Sequence, residues 1–91
     1  MERREMVHLS AIIINYNGGD LLRKTLSSLV AELTGLELES EIIVVDNAST
    51  DDSLSLISDR FPSVRVISLP RNSGFARAAN SGARASCGRY L

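Results

Sequence analysis

The sequence predicts an α/β fold, a Rossmann-like parallel sheet with flanking helices. Two observations lead to this prediction. Short aliphatic runs alternate along the chain with longer amphipathic segments, in the order strand, helix, strand, helix, strand, helix. The first two runs carry apolar residues at consecutive positions, which is typical of parallel strands buried on both faces. Alternation at this spacing indicates βαβ units with right-handed crossovers.

The strands are predicted near residues 9–14, 42–46 and 64–68. The first, LSAIII, ends at the turn signal NYNGG, and the second ends at Asp46. The third, VRVISL, alternates in part and is expected nearer an edge. Right-handed crossovers predict the order 3-2-1, with any fourth strand, which residues 89–91 begin, beside the first.

The helices are predicted near residues 20–33, 50–60 and 74–86. Leucines and Val30 recur at helical spacing in the first, and Gly35 follows it. Ser49 stands three residues before Asp52, an N-cap arrangement close to a capping box for the second helix. The third is rich in small residues, and we expect them to let its backbone approach the sheet closely. These small residues are Ala76, Ala79, Gly82 and Ala83.

The 91 residues make at most one domain, and the single cysteine excludes an intrachain disulfide. The net charge of −1 does not suggest a nucleic-acid partner. All charges after Asp59 are arginines, so this region favours a phosphate-bearing ligand; solvated arginines are an equally weighted alternative. They are Arg60, Arg65, Arg71, Arg77, Arg84 and Arg89. Without a recognisable signal peptide or membrane span, the expected location is cytoplasmic, with contact to the inner membrane face left open.

Polar side chains follow each predicted strand at the point where it ends. Because the carboxyl ends of parallel strands share one edge, these side chains are predicted to form a ligand site there. An acid after the second strand suits ribose hydroxyls, and a tyrosine after the first can stack on a base. The alternatives are simple turn formation and packing. The residues are Asn15, Tyr16 and Asn17 after the first strand, Asp46 and Asn47 after the second, and Arg71 and Asn72 after the third.

Two common phosphate-binding loops are missing from the sequence. The dinucleotide fingerprint G-x-G-x-x-G would follow the first strand, where the chain has instead residues 17–20, NGGD. A P-loop needs a lysine after its glycines, and the only lysine, Lys24, lies inside the first predicted helix. Phosphates must therefore be bound in another way, for example through a metal.

Three segments in register carry a family resemblance. AIIINYNGGDLLRKTLSSL, EIIVVDNASTDDSL and VRVISLPRNSGFARAANSGARASCGRYL resemble the start of a family 2 glycosyltransferase of the GT-A fold. The motifs NYN, VVDNAS and N-x-G-F-A are similar to those of its rhamnosyltransferase-like branch. The resemblance covers residues 8–91 and implies a truncated, N-terminal nucleotide-sugar-binding part of such a domain. It further implies sugar transfer from a nucleotide diphosphate sugar to an acceptor, in cell-wall or polysaccharide biosynthesis.

The resemblance also implies residue roles. Tyr16 matches a residue that lies against the nucleotide base, and Asp46 matches the first acid of the family's VVDD or VVDN segment. Asn47 stands where many members have a base-contacting aspartate, which leaves the base preference open because an amide both donates and accepts. The helix segment facing the nucleotide and the loop before it contribute further candidates. The substrate-binding set is Asn15, Tyr16, Asn17, Asp46, Asn47, Arg71, Arg77 and Asn80.

No catalytic residue or metal ligand is expected within these 91 residues. By the resemblance, the D-x-D motif for Mg²⁺ or Mn²⁺ and the general base lie further along the full-length enzyme. The chain alone is therefore expected to bind nucleotide weakly and to transfer no sugar. We also expect exposed sheet surface that favours homo-oligomers.

Two other functions compete with this interpretation. A sugar-phosphate nucleotidyltransferase would need a glycine-rich loop with basic residues after the first strand, and this loop is absent from the sequence. A stand-alone nucleotide-binding or interaction module without catalysis remains the second alternative.

Overall fold

The computed structural model describes residues 8–36, 39–72 and 74–85. They form three strands and three helices in strict alternation, which confirms the predicted α/β fold. The elements are β1 (His8–Asn15), α1 (Gly19–Thr34), β2 (Glu39–Asp46), α2 (Ser53–Arg60), β3 (Arg65–Ser68) and α3 (Phe75–Ala85). None of the helices in these ranges is long and apolar enough to cross a membrane.

The sheet is parallel and has the order β1-β2-β3, which confirms the predicted 3-2-1 arrangement. Ile12 pairs with Ile43 in the first ladder, and Ile43 pairs with Arg65 in the second. Central β2 therefore buries its aliphatic run almost completely, from Ile42 at 8% exposure to Val45 at 0%. The predicted fourth strand at residues 89–91 lies outside the described residues.

The helices divide between the two faces of the sheet. On one face, Leu22 and Leu26 of α1 and Ile57 of α2 pack with Val44 of β2. On the other, Ala78 of α3 packs against residues of β2 that include Val45. Successive residues of a strand point to opposite faces, so the unbroken aliphatic run of β2 supplies both layers.

β1 is packed on both faces, as predicted, with Ala11 and Ile13 against one cluster and Ile12 and Ile14 against the other, but it is only partly buried. Its aliphatic residues 11–14 are half-buried, because among the described elements β1 pairs with β2 alone. The apolar pattern of a strand indicates which of its faces are covered. Whether both of its edges are paired depends on the strand order of the sheet.

The close approach of α3 to the sheet depends on one glycine. A Cβ on Gly82 would lie 2.5 Å from Ile12 Cγ2, well inside contact distance. Ala78, one turn earlier, is fully buried on the same helix face. The predicted role of Gly82 is confirmed, but Ala76 is exposed and takes no part in this contact.

Arg65 anchors the carboxyl end of α3 at the opposite end of the sheet from the loops described below. Its Nη1 donates to the Ala85 carbonyl at 2.9 Å and to Glu41 Oε1 at 3.1 Å. Glu41 Oε2 also accepts from the Ser10 hydroxyl at 2.7 Å. At least this member of the arginine-rich region has an acidic partner and a structural role.

Candidate functional site

The loops that follow β1, β2 and β3 meet at the carboxyl edge of the sheet, as predicted. Two backbone hydrogen bonds extend the ladders past the strand ends. Asn47 N donates to Asn15 O, and Leu69 N donates to Asp46 O, each at 2.8 Å. The polar residues that follow the strands are thus held in register with one another.

Asn15 and Asp46 form a buried pair at the ends of β1 and β2. They are register partners, and they are 4% and 1% exposed. Asn15 Nδ2 donates to Asp46 Oδ1 at 2.9 Å, while Asn15 Oδ1 accepts from Gly18 N at 3.1 Å. A Cβ on Gly18 would lie 2.3 Å from that Oδ1 atom, so any larger residue here would displace the Asn15 side chain.

Asp46 shapes the loop that follows β2. Its Oδ2 accepts from Ser49 N at 2.9 Å, and its Oδ1 accepts from Ser49 Oγ at 2.7 Å. With the bond from Asn15, the carboxylate accepts three hydrogen bonds in a nearly water-free position. The structure therefore shows Asp46 organising the carboxyl edge of the sheet.

The prediction of Ser49 as a capping-box residue is wrong. The N-cap of α2 is Asp52, without a side-chain capping bond. Ser49 lies too early to reach the first turn, and its hydroxyl instead faces back toward the loop after β1. There it accepts from Asn15 Nδ2 at 3.1 Å and from Asn17 N at 2.9 Å. The signal in the sequence was an acid three residues before a serine, a spacing typical of local side-chain-to-backbone bonds.

Asn17 makes a second connection between the same two loops. Its Oδ1 accepts from the backbone N–H groups of Thr50, at 2.7 Å, and Asp51, at 3.1 Å. Its φ of 52° lies in the left-handed region, which asparagine tolerates better than most residues. Ala48 shares this conformation with φ 65°, where a non-glycine residue is strained.

Tyr16 lies between these anchored neighbours, with 53% of its surface exposed. It lines an open groove of about 240 Å³ together with Leu21, Leu22 and Thr25 of α1. A flat aromatic side chain in this setting can offer a face to a planar ligand.

Asn47 connects β2 to the loop before α3. It is 4% exposed, and its Nδ2 donates to Asn72 Oδ1 at 2.9 Å. The same oxygen accepts from Gly74 N at 3.0 Å, where φ is 82°. The sequence grouped Asn72 with this edge but assigned it no role.

The remaining candidates lie on the α3 side and are exposed. Arg71 is in the β3–α3 loop, and Arg77 is near the start of α3. Arg77 and Asn80 line a groove of about 340 Å³ with Leu69 and Arg84. The structure thus joins Asn15, Asn17 and Asp46 in one network through Ser49, and no described contact joins Arg71 or Arg77 to it.

The acids near α2 act locally. Ser53 donates its hydroxyl and its backbone N–H to Asp51 Oδ1. These hydrogen bonds, the side-chain one first, lower the pKa of Asp51 below its ordinary value. Asp51 thus binds the backbone N–H of Ser53, the first residue of α2.

The described residues do not fit a metal site. Across residues 8–36, 39–72 and 74–85, no three histidine, cysteine or acidic side chains come together as ligands. Asp46, the buried acid of the edge, accepts its hydrogen bonds from Asn15 and Ser49.

A parallel α/β sheet with three polar loops gathered at its carboxyl edge defines the class of open-sheet ligand-binding domains. The sequence profile described as "Glycosyl transferase family 2" matches residues 10–91. The chain belongs to that family, as the resemblance predicted.

Curated relatives are similar over most of this chain. It is 34% identical over 87 residues to an uncharacterised glycosyltransferase, YibD, of Escherichia coli (strain K12), covering 91% of the chain and 24% of the relative. It is 33% identical over 81 residues to the succinoglycan biosynthesis protein ExoO of Rhizobium meliloti (strain 1021), covering 88% and 22%. It is 36% identical over 87 residues to the poly(ribitol-phosphate) beta-glucosyltransferase of Bacillus spizizenii, and this match covers 91% of the chain and 14% of the relative. The chain thus spans about a quarter of the first two and less of the third.

A solved structure has the same fold. The crystal structure of S. aureus TarS 1-349 superposes with a TM-score of 0.68 at 24% sequence identity, over 93% of this chain and 27% of that one. At this identity the likeness supports the GT-A arrangement of strands and helices.

Proposed function

We propose that this chain forms the donor-nucleotide part of a GT-A glycosyltransferase domain spanning residues 8–91 and continuing beyond them. The full-length protein transfers a sugar from a nucleotide diphosphate sugar to an acceptor. The observation that carries the proposal is the change of sheet face between α2 and α3, at the edge where Tyr16 is exposed.

This change of face locates the ligand crevice. α1 and α2 lie on one face of the sheet and α3 on the other. If every crossover is right-handed, the strand after α3 must turn back and pair with the free edge of β1. The strand order then reverses beside β1, and open α/β sheets bind ligands at the carboxyl end of that reversal. Tyr16 is the first residue after β1.

The site residues then divide the donor between them. Tyr16 stacks on the base, while Asn47 and Asn72 provide amide groups beside it. Asp46 is 1% exposed and accepts three hydrogen bonds, so it serves the ribose side of the site by fixing the loop after β2. On the α3 side, positive charge from Arg71 and Arg77 favours the diphosphate, with Asn80 next to them.

Titration calorimetry on the full-length protein tests the base site. Uridine and thymidine diphosphates are titrated into the wild type, Tyr16→Ala and Tyr16→Phe. Base stacking contributes about 1–3 kcal/mol, so Tyr16→Ala should weaken binding by about 5- to 150-fold, and Tyr16→Phe should bind nearly as wild type. Leu21→Ala is the matched control, because Leu21 is 71% exposed in the same groove.

The result decides between the candidate functions. If the wild type and Tyr16→Ala bind the nucleotides with equal affinity, the base does not bind at this edge of the sheet. Nucleotide binding without sugar transfer by the full-length protein, under any donor and acceptor tried, favours a non-catalytic binding module instead.

A divalent metal, Mg²⁺ or Mn²⁺, is proposed for the full-length enzyme, held by residues beyond Leu91. The support is the family, since the residues described here do not fit a metal. The 91-residue chain alone should then bind nucleotide weakly, equally with and without Mn²⁺, and transfer no sugar. Tight, metal-dependent binding by the isolated chain contradicts this.

The finer assignments rest on the motifs and the relatives' names. NYN, VVDNAS and N-x-G-F-A support a rhamnosyltransferase-like branch. The relatives named for succinoglycan biosynthesis and for poly(ribitol-phosphate) support a polysaccharide or cell-wall polymer as acceptor. A donor screen of deoxythymidine diphosphate rhamnose against uridine diphosphate glucose tests the branch. Preference for the glucose donor contradicts it.

Oligomer state and location are also proposals. In the 91-residue chain by itself, the edge of β1 that no described strand covers supports homo-oligomers. Light scattering that shows this chain to be a monomer at high concentration contradicts this. A cytoplasmic location, with contact to the inner membrane face left open, stays the prediction made from the sequence. Cell fractionation tests it.

A further inference from the structure

We infer that Ser49 is a positioning residue that holds Tyr16 in place for the nucleotide base. This inference rests on the function proposed above and adds a residue that the local pattern predicted to be a helix cap. Tyr16 itself is exposed, yet the residues on both sides of it are tied to the β2–α2 loop through one hydroxyl group.

The Ser49 hydroxyl uses its full hydrogen-bonding capacity, two acceptor positions and one donor. It accepts from Asn15 Nδ2 at 3.1 Å and from Asn17 N at 2.9 Å. It donates to Asp46 Oδ1 at 2.7 Å. Asp46 is buried at the end of central β2, so the hydroxyl ties both neighbours of Tyr16 to the central strand of the sheet.

Asn17 strengthens this connection from the opposite loop. Its Oδ1 accepts from Thr50 N and Asp51 N, at 2.7 and 3.1 Å. Asn17 is therefore held at its backbone N–H by Ser49 and at its side chain by the residues that follow Ser49. The peptide after Tyr16 has little freedom to rotate while both attachments stand.

The consequence for binding is entropic. An aromatic side chain on a fixed backbone loses less conformational freedom when a base stacks on it than one on a loose loop. Ser49→Ala removes the common acceptor of Asn15 and Asn17. From the usual entropy of ordering one side chain, we expect nucleotide affinity to fall by about three- to tenfold.

The first experiment observes Tyr16 without any nucleotide. A 3-fluorotyrosine is placed at position 16 of the full-length protein, and its fluorine resonance is recorded. The wild type should show one narrow resonance and Ser49→Ala a broadened or shifted one. Ser49→Thr, which keeps the hydroxyl, should restore the wild-type resonance. Ser55→Ala is the matched control, because Ser55 is exposed on α2.

The second experiment is a double-mutant cycle with uridine and thymidine diphosphates. Ser49→Ala should weaken binding in the wild-type background and have no further effect in Tyr16→Ala. An equal loss in both backgrounds, or an unchanged fluorine resonance in Ser49→Ala, overturns the inference. If Tyr16→Ala itself leaves affinity unchanged, the proposed base site fails, while the resonance still reports on the Ser49 contact.

A second variant covers the case in which Ser49→Ala does not fold. Asn17→Gly tolerates the left-handed backbone but removes the acceptor for Thr50 N and Asp51 N. It should broaden the Tyr16 resonance and weaken binding in the same direction. A wild-type resonance with wild-type affinity in a folded Asn17→Gly protein overturns the inference.

Discussion

Asp46→Asn is expected to destabilise the protein strongly although it changes the side chain's shape very little. The carboxylate accepts from Asn15 Nδ2 and Ser49 Oγ at one oxygen, and from Ser49 N at the other. An amide has one acceptor oxygen and one donor group. Either orientation therefore points an NH₂ group at a donor that the carboxylate had satisfied.

The contacts set the size of the effect. In the better orientation, the amide oxygen keeps Asn15 and the Ser49 hydroxyl, and its NH₂ group faces Ser49 N. The Ser49 hydroxyl cannot turn to help in the other orientation, because Asn15 and Asn17 already occupy its acceptor positions. One charge-assisted bond is lost, two donors oppose each other, and the remaining bonds lose their charge. We expect the free energy of unfolding to fall by about 2–4 kcal/mol.

Urea unfolding followed by circular dichroism measures this change, with Asp52→Asn as the matched control. Asp52 is exposed and makes no side-chain cap bond, and asparagine caps helices as well as aspartate, so the control should lie within about 0.5 kcal/mol of wild type. If Asp46 only formed a turn, asparagine would replace it equally well. An Asp46→Asn midpoint equal to that of Asp52→Asn therefore refutes the network described here.

Three further substitutions test the surroundings of the site. Ala48→Gly should stabilise the protein by about 1 kcal/mol, because Ala48 has a left-handed φ. As a control, the same change at exposed Ala31 in α1 should destabilise the protein by a similar amount. A loss of stability at both positions contradicts backbone strain at Ala48. Gly82→Ala should cost about 1–3 kcal/mol, since the new Cβ would lie 2.5 Å from a side-chain methyl of β1; thermal unfolding unchanged from wild type would contradict the close approach. Hydrogen bonds from Ser53 lower the pKa of Asp51 below 3.8. The ionised Asp51 therefore stabilises the folded protein above that pH, and this stabilisation is lost as the pH falls through the folded-state pKa. Asp51→Ala should therefore flatten the acid limb of the stability curve, and identical curves would disprove the contribution.

The fold was accessible from the sequence because its signals are local. Aliphatic runs, helical periodicity and the turn residues at NYNGG each depend on neighbours within a few positions, and right-handed crossovers then restrict the topology. The order of the three described strands and each of the described elements followed from this reasoning. Element boundaries were less accurate, as α2 begins at Ser53 and not at residue 50.

The site was predicted in part for the same reason. That Asn15, Tyr16, Asn17, Asp46 and Asn47 come to one edge follows from parallel strands alone. Their partners did not follow, because hydrogen bonds such as that from Asn17 N to Ser49 Oγ join positions 32 residues apart. Local pattern made Ser49 a helix cap, whereas the packed loops offered its hydroxyl better partners.

By itself the sequence determined the alternation of strands and helices, the family and the edge at which polar residues gather. Only the tertiary structure decided which of them are buried and which are open to a ligand: Asp46 faces inward, 1% exposed, and Tyr16 outward, 53% exposed. The physical reason is that burial and hydrogen-bond partners depend on what the rest of the chain places nearby. β1 is half-buried, although its apolar sequence resembles that of β2, because it lies at the edge of the described sheet while β2 lies at its centre.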